Sequence, residues 1–331
     1  MKGIINNTLF QSSDNSSASM LYVAPDTLPA GDKCSGAQWP GDRRIFTHMT
    51  IREIISQATR QLEEAGIPSA RLDAEVLLAF CLNCDRLELI KNPERMLDDS
   101  ERISFHEFIA RRLRCEPVAY ITGRKAFWSF TLEVNSDVLI PRPDTEVIVE
   151  ETLAVFRTHP VDQPRILDIG TGSGAIALAL AAEIPGAQIT ATDISATALT
   201  VAKKNALAVG LDHSITFLHG DLFAPVRGTF DLIVSNPPYI GADEYEVLPA
   251  GVKDFEPRQA LFAGKTGLEF YENLVYQAKN YLKEKGWLLL EIGYKQIQEV
   301  QEIMEMSEFY DGIGVRSDYA GLSRVIKGRR K

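Results

Sequence analysis

The sequence lacks the features of a membrane protein: no apolar stretch has transmembrane length, and its first residues contain no continuous apolar segment of the signal-peptide type. It also lacks an excess of basic residues, because 35 Lys and Arg stand against 45 Asp and Glu and give a formal net charge of −10. An acidic chain is poorly suited to broad contact with a phosphate backbone. We therefore expect a cytoplasmic protein that meets a protein partner rather than a membrane or, directly, a nucleic acid.

Cysteine is scarce, and the four that occur are Cys34, Cys81, Cys84 and Cys115. Cys81 and Cys84 have the C-x-x-C spacing of metal or redox pairs, but no second pair and no His cluster accompanies them. They follow the apolar run 76–80, so a buried helical surface is the better interpretation. The sequence therefore gives no reason to expect a metal.

The pattern along the 331 residues predicts two folded domains, with hydrophobic (45%) and charged (24%) fractions of a globular protein. Residues 1–48 are polar and without periodicity, which predicts a disordered extension. Residues 49–116 repeat apolar side chains at helical spacing, after a Thr-x-x-Glu capping box at Thr50, and predict a helical bundle. Residues 117–143 predict a hairpin linker, and 144–331 alternate strand and helix patterns as in a mostly parallel sheet.

Within the helical region, the first helix is expected to end at Gly66 and Pro68, a second to span 69–82, and a third to run from the caps at 98–100 to Cys115. Pro93 is a possible start for another short helix. The side chains expected to face inward are Leu72, Val76, Leu77 and Phe80 in the second helix and Ile103, Phe108, Ile109 and Leu113 in the third.

The remaining elements are predicted strands. Segments 130–134 and 138–140 flank Asn135-Ser136-Asp137, which predicts the linker hairpin. A helix capped by Asp144 or Thr145 follows it. Sheet strands are expected at 165–169, 188–193, 215–219, 230–235 and 286–292, with a terminal pair near 311–317 and 323–327 that turns at Ala320-Gly321. The terminal pair predicts an antiparallel strand at the sheet edge.

A glycine loop follows the first predicted sheet strand. Gly170, Gly172 and Gly174 stand at alternate positions, where glycine lets the backbone bend tightly and approach a ligand. The match to the dinucleotide fingerprint is weak alone, because small residues also let a helix pack on a strand. Asp193 ends the next strand, about 20 residues further on, where a carboxylate can accept both ribose hydroxyls. A helix N-cap is the alternative for Asp193. Loop and carboxylate together predict a nucleoside cofactor.

The most informative motif is Asn236-Pro237-Pro238-Tyr239, which follows the apolar strand pattern 230–235. Two prolines have no N–H to donate, so the chain must leave the sheet with its carbonyls free. The Asn236 and Pro237 oxygens can accept the two hydrogens of a planar –NH2 group while the Tyr239 ring covers its face. An ordinary turn is the alternative reading. Beside a nucleoside site, the motif favours S-adenosylmethionine-dependent transfer to an amide or amine nitrogen over hydride transfer.

These two motifs resemble the amino-methyltransferases with a Rossmann-like domain. More closely, the chain resembles the protein-(glutamine-N5) methyltransferases that modify peptide chain release factors, the PrmC/HemK family. The similarity begins near Met49, and further matching motifs lie at 117–123, 138–146 and 255–257. The resemblance implies an α/β fold: a seven-stranded S-adenosylmethionine-dependent methyltransferase domain, preceded by a helical domain that engages the release factor and by the hairpin linker.

The resemblance also implies a binding site for S-adenosylmethionine and no metal. The loop residues expected along its methionine and ribose portions are Gly170, Thr171, Gly172, Ser173 and Gly174. Asp168 would meet the amino group, with helix-start electrostatics an equal alternative, and Asp193 would hold the ribose. Asp221 would accept from the adenine amine and Leu222 would cover the ring, although some family members have Trp there.

For the substrate, the resemblance implies catalytic roles for Asn236, Pro237 and Tyr239, with Asn236 also touching the cofactor. The residues expected to bind substrate are Asn236, Pro237, Pro238, Tyr239, Phe127 and Arg142. Phe127 could instead be a core residue, and Arg142 could pair with a surface neighbour. The expected partner is the Gly-Gly-Gln loop of a release factor, met by a monomeric enzyme.

Several alternatives remain open from the sequence. They are a nucleic-acid methyltransferase acting on adenine or guanine, a glutamine methyltransferase of a ribosomal protein, a binding module that lost catalysis, and a dehydrogenase. The acidic balance counts against the first, and the intact glycine loop and Asn236 count against the third.

Overall fold

The structure is a computed structural model that describes residues 49–331. The predicted disorder of residues 1–48, and Cys34 with it, lies outside the described residues. The first part of the described chain is helical, with α1 (Ile51–Glu64), α2 (Ala70–Cys81), α3 (Arg86–Lys91), α4 (Asp99–Leu113) and α5 (Val118–Thr122).

Local hydrogen bonds explain where the two longest of these helices begin. The Thr50 hydroxyl accepts from the Glu53 N–H at 3.3 Å, and the Glu53 carboxylate accepts from the Thr50 N–H at 2.9 Å. Asp98 and Glu101 form the same reciprocal pair at the start of α4. Both predicted starts are confirmed, because each box satisfies backbone donors that the first helical turn leaves unpaired.

The predicted inward faces were partly wrong. In α2 only Leu77 of the expected four is buried, and alanines with Asp73 form most of the buried stripe. Asp73 is buried because the Arg112 guanidinium of α4 pairs with it at 2.7 Å. In α4, Ile103 is 58% exposed and Phe105 is fully buried in its place.

Two further expectations in this region have clear outcomes. Ile109 and Leu113 are buried as predicted, whereas Phe108 is only partly buried. The short helix α3 ends at Lys91, so the expectation that Pro93 starts a helix was wrong.

The linker hairpin exists but uses other strands than predicted. Its strands are β1 (Arg124–Phe127) and β2 (Phe130–Glu133), joined at Trp128, whose φ is +53°. Residues 138–140 form no strand, because Asn135 closes a local turn by accepting from the Asp137 N–H at 2.9 Å. After that turn, the Val138 carbonyl accepts from the Tyr120 hydroxyl at 2.6 Å, and the Ile140 N–H donates to the Glu256 carboxylate at 3.1 Å.

The rest of the chain alternates strands and helices. The strands are β3 (Arg165–Ile169), β4 (Gln188–Asp193), β5 (Ile215–His219), β6 (Phe230–Ser235), β7 (Ile240–Gly241), β8 (Phe262–Gly264), β9 (Leu282–Glu291), β10 (Tyr310–Ser317) and β11 (Ser323–Arg330). The helices are α6 (Glu146–Thr158), α7 (Ala175–Glu183), α8 (Ala196–Ala208), α9 (Ala242–Glu246), α10 (Ala250–Lys253), α11 (Arg258–Leu261), α12 (Glu269–Ala278) and α13 (Ile297–Met306). Short 3-10 turns span Pro143–Thr145 and Asp212–Ser214.

Seven strands form one sheet in the order β10-β11-β9-β6-β3-β4-β5, and β7 pairs separately with β8. Strands β9, β6, β3, β4 and β5 are parallel, and β11 is antiparallel to β9. The strand predictions and the terminal hairpin, with Gly321 at φ +83°, are confirmed. The predicted seven-stranded, mostly parallel sheet with an antiparallel strand is therefore present.

Both faces of the sheet are covered, which explains why its central strands read as continuous apolar runs. Successive residues point to opposite faces, so Ile166 packs with α6 and α7 while Leu167 packs with α12 and α13. Strand β4 lies on one side of β3 and β6 on the other, which makes the carboxyl ends of β3 and β6 the topological switch point. At this edge the Ser235 hydroxyl donates to the Ile169 carbonyl at 2.8 Å.

Candidate functional site

The glycine loop leaves β3 at the switch point in a conformation that requires glycine. Gly170, Gly172 and Gly174 have φ values of +72°, +55° and +85°. A Cβ on either of the first two would meet no atom within 4 Å, whereas one on Gly174 would meet Ala202 at 3.3 Å. The third glycine thus lets α7 pack closely on α8, and the first two let the backbone face open space beside the sheet.

Asp168 lies beneath this loop and is fully buried. One carboxylate oxygen accepts from the Thr171 hydroxyl at 2.6 Å, and the other has no hydrogen-bond partner among residues 49–331. Burial raises the pKa of Asp168 to about 7, the Thr171 hydrogen bond opposes that shift, and the neighbouring Asp193 charge reinforces it. A buried carboxylate with an unsatisfied oxygen suits a cationic group or water. The Ala177 backbone, at the start of α7, also lowers the pKa of Asp168, so the helix-start alternative stays open.

Asp193 joins the glycine loop to the end of β4. Its Oδ2 accepts from the Gly172 N–H at 2.9 Å, and its Oδ1 accepts from the Ser195 N–H at 2.8 Å. The N-cap alternative was wrong, because Ser195 caps α8 by accepting from the Ala198 N–H. Burial raises the pKa of the Asp193 carboxyl, and each oxygen keeps a second lone pair for a hydroxyl donor.

The loop after β5 borders the same edge. Gly220 N–H donates to the Asp193 carbonyl at 3.0 Å, which places Asp221 and Leu222 beside the Asp193 turn. Asp221 is exposed, and Leu222, at φ +43°, is partly buried. The structure therefore brings together Asp168, the glycine loop, Asp193 and this loop, while their cofactor contacts remain predictions.

The Asn-Pro-Pro-Tyr turn leaves β6 next to the glycine loop, since Ser235 and Ile169 are in register on neighbouring strands. The Asn236 side-chain nitrogen donates to the Thr145 hydroxyl at 3.2 Å. At the other end of the turn, the Gln296 amide donates to the Tyr239 carbonyl at 2.9 Å. The turn is thus fixed by one side chain at each end.

Phe127 is placed in the core rather than at a surface. It is 1% exposed and belongs to the same apolar cluster as Leu132 and Val147. Its neighbour Trp128 is partly buried and donates its ring N–H to Glu183 at 2.8 Å. Core packing, the alternative for Phe127, is what the structure supplies, and a substrate contact stays a prediction.

Arg142 forms a buried ion pair with Glu256. The two side chains meet at 2.5 Å, and the second oxygen of Glu256 accepts from the Ile140 N–H at 3.1 Å. This pair joins the 138–146 and 255–257 motifs, so Arg142 has an acidic neighbour as in the alternative interpretation, but that neighbour is buried rather than on the surface. Glu256 is only 5% exposed, so removal of either partner would leave a buried charge without its counter-charge. Substrate binding by Arg142 stays a prediction.

Sequence reasoning missed the groups that hold the turn. Asp144 or Thr145 was expected to cap α6. Thr145 takes the N-cap position, but its side chain makes no capping hydrogen bond and accepts from Asn236 instead. Glu291 ends the apolar strand β9 and is 2% exposed. The sequence did contain a signal for Glu291, because a charged residue at the carboxyl end of an apolar strand is typical of a functional site. Gln296 offered no such signal, because only the fold brings it to Tyr239.

Metal ligation and membrane insertion find no support within residues 49–331. No group of three or more His, Cys, Asp or Glu side chains there could hold a metal ion. Cys81 and Cys84 are free and partly buried, and burial raises the pKa of the Cys81 thiol to about 11. None of the helices in this part of the chain is long and apolar enough to span a bilayer.

Sheet order, glycine loop and Asn-Pro-Pro-Tyr turn together define a Rossmann-like methyltransferase. A family model described as the methyltransferase small domain matches residues 149–250, and another, the PrmC N-terminal domain, matches 53–123. The hMettl16 catalytic domain, solved with an MAT2A 3′UTR hairpin, has a TM-score of 0.52 over 67% of this chain and 81% of that chain. At 18% identity, that likeness shows the fold alone.

Curated relatives identify the family. The release factor glutamine methyltransferase of Koribacter versatilis is 42% identical over 85% of this chain and 99% of that protein. Its counterparts from Moorella thermoacetica and Vibrio cholerae are 42% and 41% identical over 86% of this chain and 99% and 98% of their own lengths. The chain belongs to the release factor glutamine methyltransferase family, which confirms the resemblance drawn from its motifs.

Proposed function

We propose that this chain transfers a methyl group from S-adenosylmethionine to the side-chain amide nitrogen of the glutamine in the Gly-Gly-Gln motif of a peptide chain release factor. The observation that carries the proposal is the Asn236 turn, held by Thr145 and set in register beside the glycine loop. The relatives' names give a release factor glutamine as the group modified, and the family resemblance implies the Gly-Gly-Gln motif. Release factors work in translation, so the proposal implies a cytoplasmic reaction with a protein partner.

The residues at the end of β3 fit the methyl donor. Asp168 supplies a buried oxygen without a partner in the described chain, and the backbone over Gly170 and Gly172 faces open space. Asp193 would hold the ribose, and Asp221 with Leu222 would border the adenine. When bound, the donor supplies an electrophilic methyl sulfonium with a neutral leaving group.

Alignment is the main task left to the protein. A glutamine amide is a weak nucleophile because its nitrogen lone pair is delocalised into the carbonyl. The Asn236 and Pro237 oxygens would each accept one amide hydrogen, which points the nitrogen at the methyl carbon and stabilises the positive charge that develops. Tyr239 would pack on the amide plane. Orientation of this kind is worth roughly 7–11 kcal/mol in the most favourable systems.

The proton lost by the amide nitrogen needs no dedicated base. Once the nitrogen carries the new methyl group, its excess proton is strongly acidic and water can accept it. None of the five histidines lies in the Asn236 turn, in agreement with this scheme. The Pro238 ring, with no N–H of its own, keeps the turn from pairing with another strand.

The test is methyl transfer from labelled S-adenosylmethionine to purified release factor. Wild-type enzyme is compared with Asn236→Ala and with Asn273→Ala, which changes an exposed asparagine of α12. Label on the factor, lost with Asn236→Ala but kept with Asn273→Ala, is the expected result. A release factor whose motif glutamine is changed to alanine should stay unlabelled. Label on ribosomal protein or nucleic acid instead would overturn the proposal.

A further inference from the structure

The Thr145 side chain has a function that its position at the start of α6 does not explain. It is 4% exposed and makes no capping hydrogen bond to the helix it precedes. Its hydroxyl oxygen instead accepts from the Asn236 side-chain nitrogen, 91 positions further along the chain. A buried hydroxyl that serves a site residue rather than its own helix points to positioning.

Glu291 ends β9, the strand next to the one that leads into Asn236. Strands β6 and β9 are parallel, with Ser235 opposite Leu290, so the next residues, Asn236 and Glu291, leave adjacent strands at the same edge. Glu291 is 2% exposed, and its Oε2 atom has no hydrogen-bond partner in the part of the chain that the structure describes. Its backbone carbonyl accepts from the Tyr271 hydroxyl at 3.2 Å, which fixes the end of β9.

The charged surroundings of Glu291 come from several elements. Burial raises the pKa of Glu291 to about 7, while the nearby Thr145 side chain and the Arg324 charge oppose the shift. Asp144 raises this pKa and Arg142 lowers it. Arg324, from β11, pairs with Asp318 at 3.1 Å and lies 3.4 Å from Asp144. At pH 8 the carboxyl is therefore mainly ionised and acts only as an acceptor.

The direction of these hydrogen bonds restricts Asn236. A threonine hydroxyl has one hydrogen to donate and two lone pairs to accept with. When its hydrogen is directed to a carboxylate, only its accepting lone pairs remain for Asn236, so the nitrogen end of the amide faces Thr145. The oxygen end then faces away. The flipped amide would present an –NH2 group to the substrate –NH2 group and lose the hydrogen bond.

We infer that Thr145, oriented by Glu291, is a positioning residue that fixes the Asn236 amide with its oxygen directed at the substrate nitrogen. The inference rests on the proposed function. It assigns Thr145 no contact with substrate. We expect its main effect in the rate of methyl transfer, because the Thr145 hydroxyl bonds to the Asn236 amide that would orient the substrate nitrogen.

The kinetic test compares Thr145→Val, which removes the hydroxyl at nearly constant volume, with Thr145→Ser, which keeps it. Thr152→Val is the matched control, since this buried α6 hydroxyl bonds only to the Ile148 carbonyl of its own helix. We expect kcat to fall roughly tenfold to a hundredfold in Thr145→Val, as for loss of an outer-shell partner that orients a site residue. The kcat of Thr145→Ser should stay within about threefold of the wild-type value, because serine keeps the hydroxyl and a threefold change corresponds to less free energy than one hydrogen bond contributes.

Two further readouts separate positioning from damage to the fold. Affinity for S-adenosylmethionine and the melting temperature of Thr145→Val should match those of Thr152→Val. Equal kcat in wild type and Thr145→Val would overturn the inference while leaving the proposed function intact. If wild-type enzyme does not label release factor, the proposed function fails instead, and a substrate-independent measurement then decides the inference.

That measurement is hydrogen exchange at the Asn236 side chain. In protein labelled with ¹⁵N-asparagine, the Asn236 amide signals are identified by their loss in Asn236→Ala. They should exchange slowly with water in wild type and Thr145→Ser, and faster in Thr145→Val, because the buried acceptor is gone. Equal exchange in all three proteins would overturn the positioning role whatever the substrate proves to be.

Discussion

Binding of S-adenosylmethionine should depend on the protonation of Asp168. In the free enzyme its pKa is about 7, against an ordinary value of 3.8, because the carboxyl is fully buried. That difference corresponds to roughly 4 kcal/mol of unfavourable burial of the charge. A cationic amino group beside the free Asp168 oxygen would relieve much of it and return the pKa towards its ordinary range.

The sign of the effect follows from proton linkage. The complex binds fewer protons than the free enzyme, so affinity must rise with pH until Asp168 is ionised in both states. Between pH 7.5 and pH 6 the dissociation constant should increase roughly eightfold, since each pH unit below the free-enzyme pKa costs up to a factor of ten. The ligand's own amino group titrates at about 8, so the useful window is pH 5.5–7.5.

Calorimetric titration of S-adenosylmethionine over this window tests the reasoning, with Asp168→Asn as the variant and Asp212→Asn, at an exposed site, as the control. The asparagine variant carries no charge at any pH, so its dissociation constant should stay flat apart from ligand titration. Asp212→Asn should behave as wild type. If the dissociation constant depends on pH equally in wild type and Asp168→Asn, Asp168 does not contact the amino group of S-adenosylmethionine. That result would favour the helix-start interpretation of this carboxyl.

Two other predictions follow from the structure. Glu291 has its pKa raised from 4.5 to about 7 in the folded state, so its contribution to stability is complete below pH 4.5 and lost as pH rises through 7. In urea denaturation, the free energy of unfolding of the wild-type protein should therefore fall from pH 5 to pH 8. In Glu291→Gln that fall should be smaller by roughly 3 kcal/mol, and an equal fall in the two proteins would contradict the prediction. Asp98→Ala removes the cap of α4 and should lower the free energy of unfolding by about 1 kcal/mol, with Asp212→Ala as an exposed control that leaves it unchanged.

The sheet and the site motifs could be predicted because local sequence determines them. Segments 165–169 and 230–235 carry apolar residues on both faces. This pattern is typical of a parallel strand that helices cover on both faces of the sheet. The glycine loop could be predicted because a turn with positive φ angles favours glycine, so the glycines mark its position in the sequence. The position of Asn236 at the end of a strand could be predicted because two prolines follow it immediately.

Other features depend on contacts between distant parts of the chain. The hairpin was misassigned because its turn uses Trp128 at φ +53°, a conformation that residue type alone does not favour. The inward face of α2 was misassigned because Asp73 is buried against Arg112 of another helix. The Thr145–Asn236 hydrogen bond links the start of a helix to the end of a strand, and no local pattern signals it.

The most direct test of the account is to locate the methyl group on a release factor after reaction with wild-type enzyme and S-adenosylmethionine. Fragmentation mass spectrometry of the peptide that contains the Gly-Gly-Gln motif assigns the modified atom to one residue. The account predicts a single methyl group on the glutamine side-chain amide, absent when Asn236→Ala replaces the wild-type enzyme. A methyl group on another residue, or one that Asn236→Ala still transfers at the wild-type rate, would contradict it.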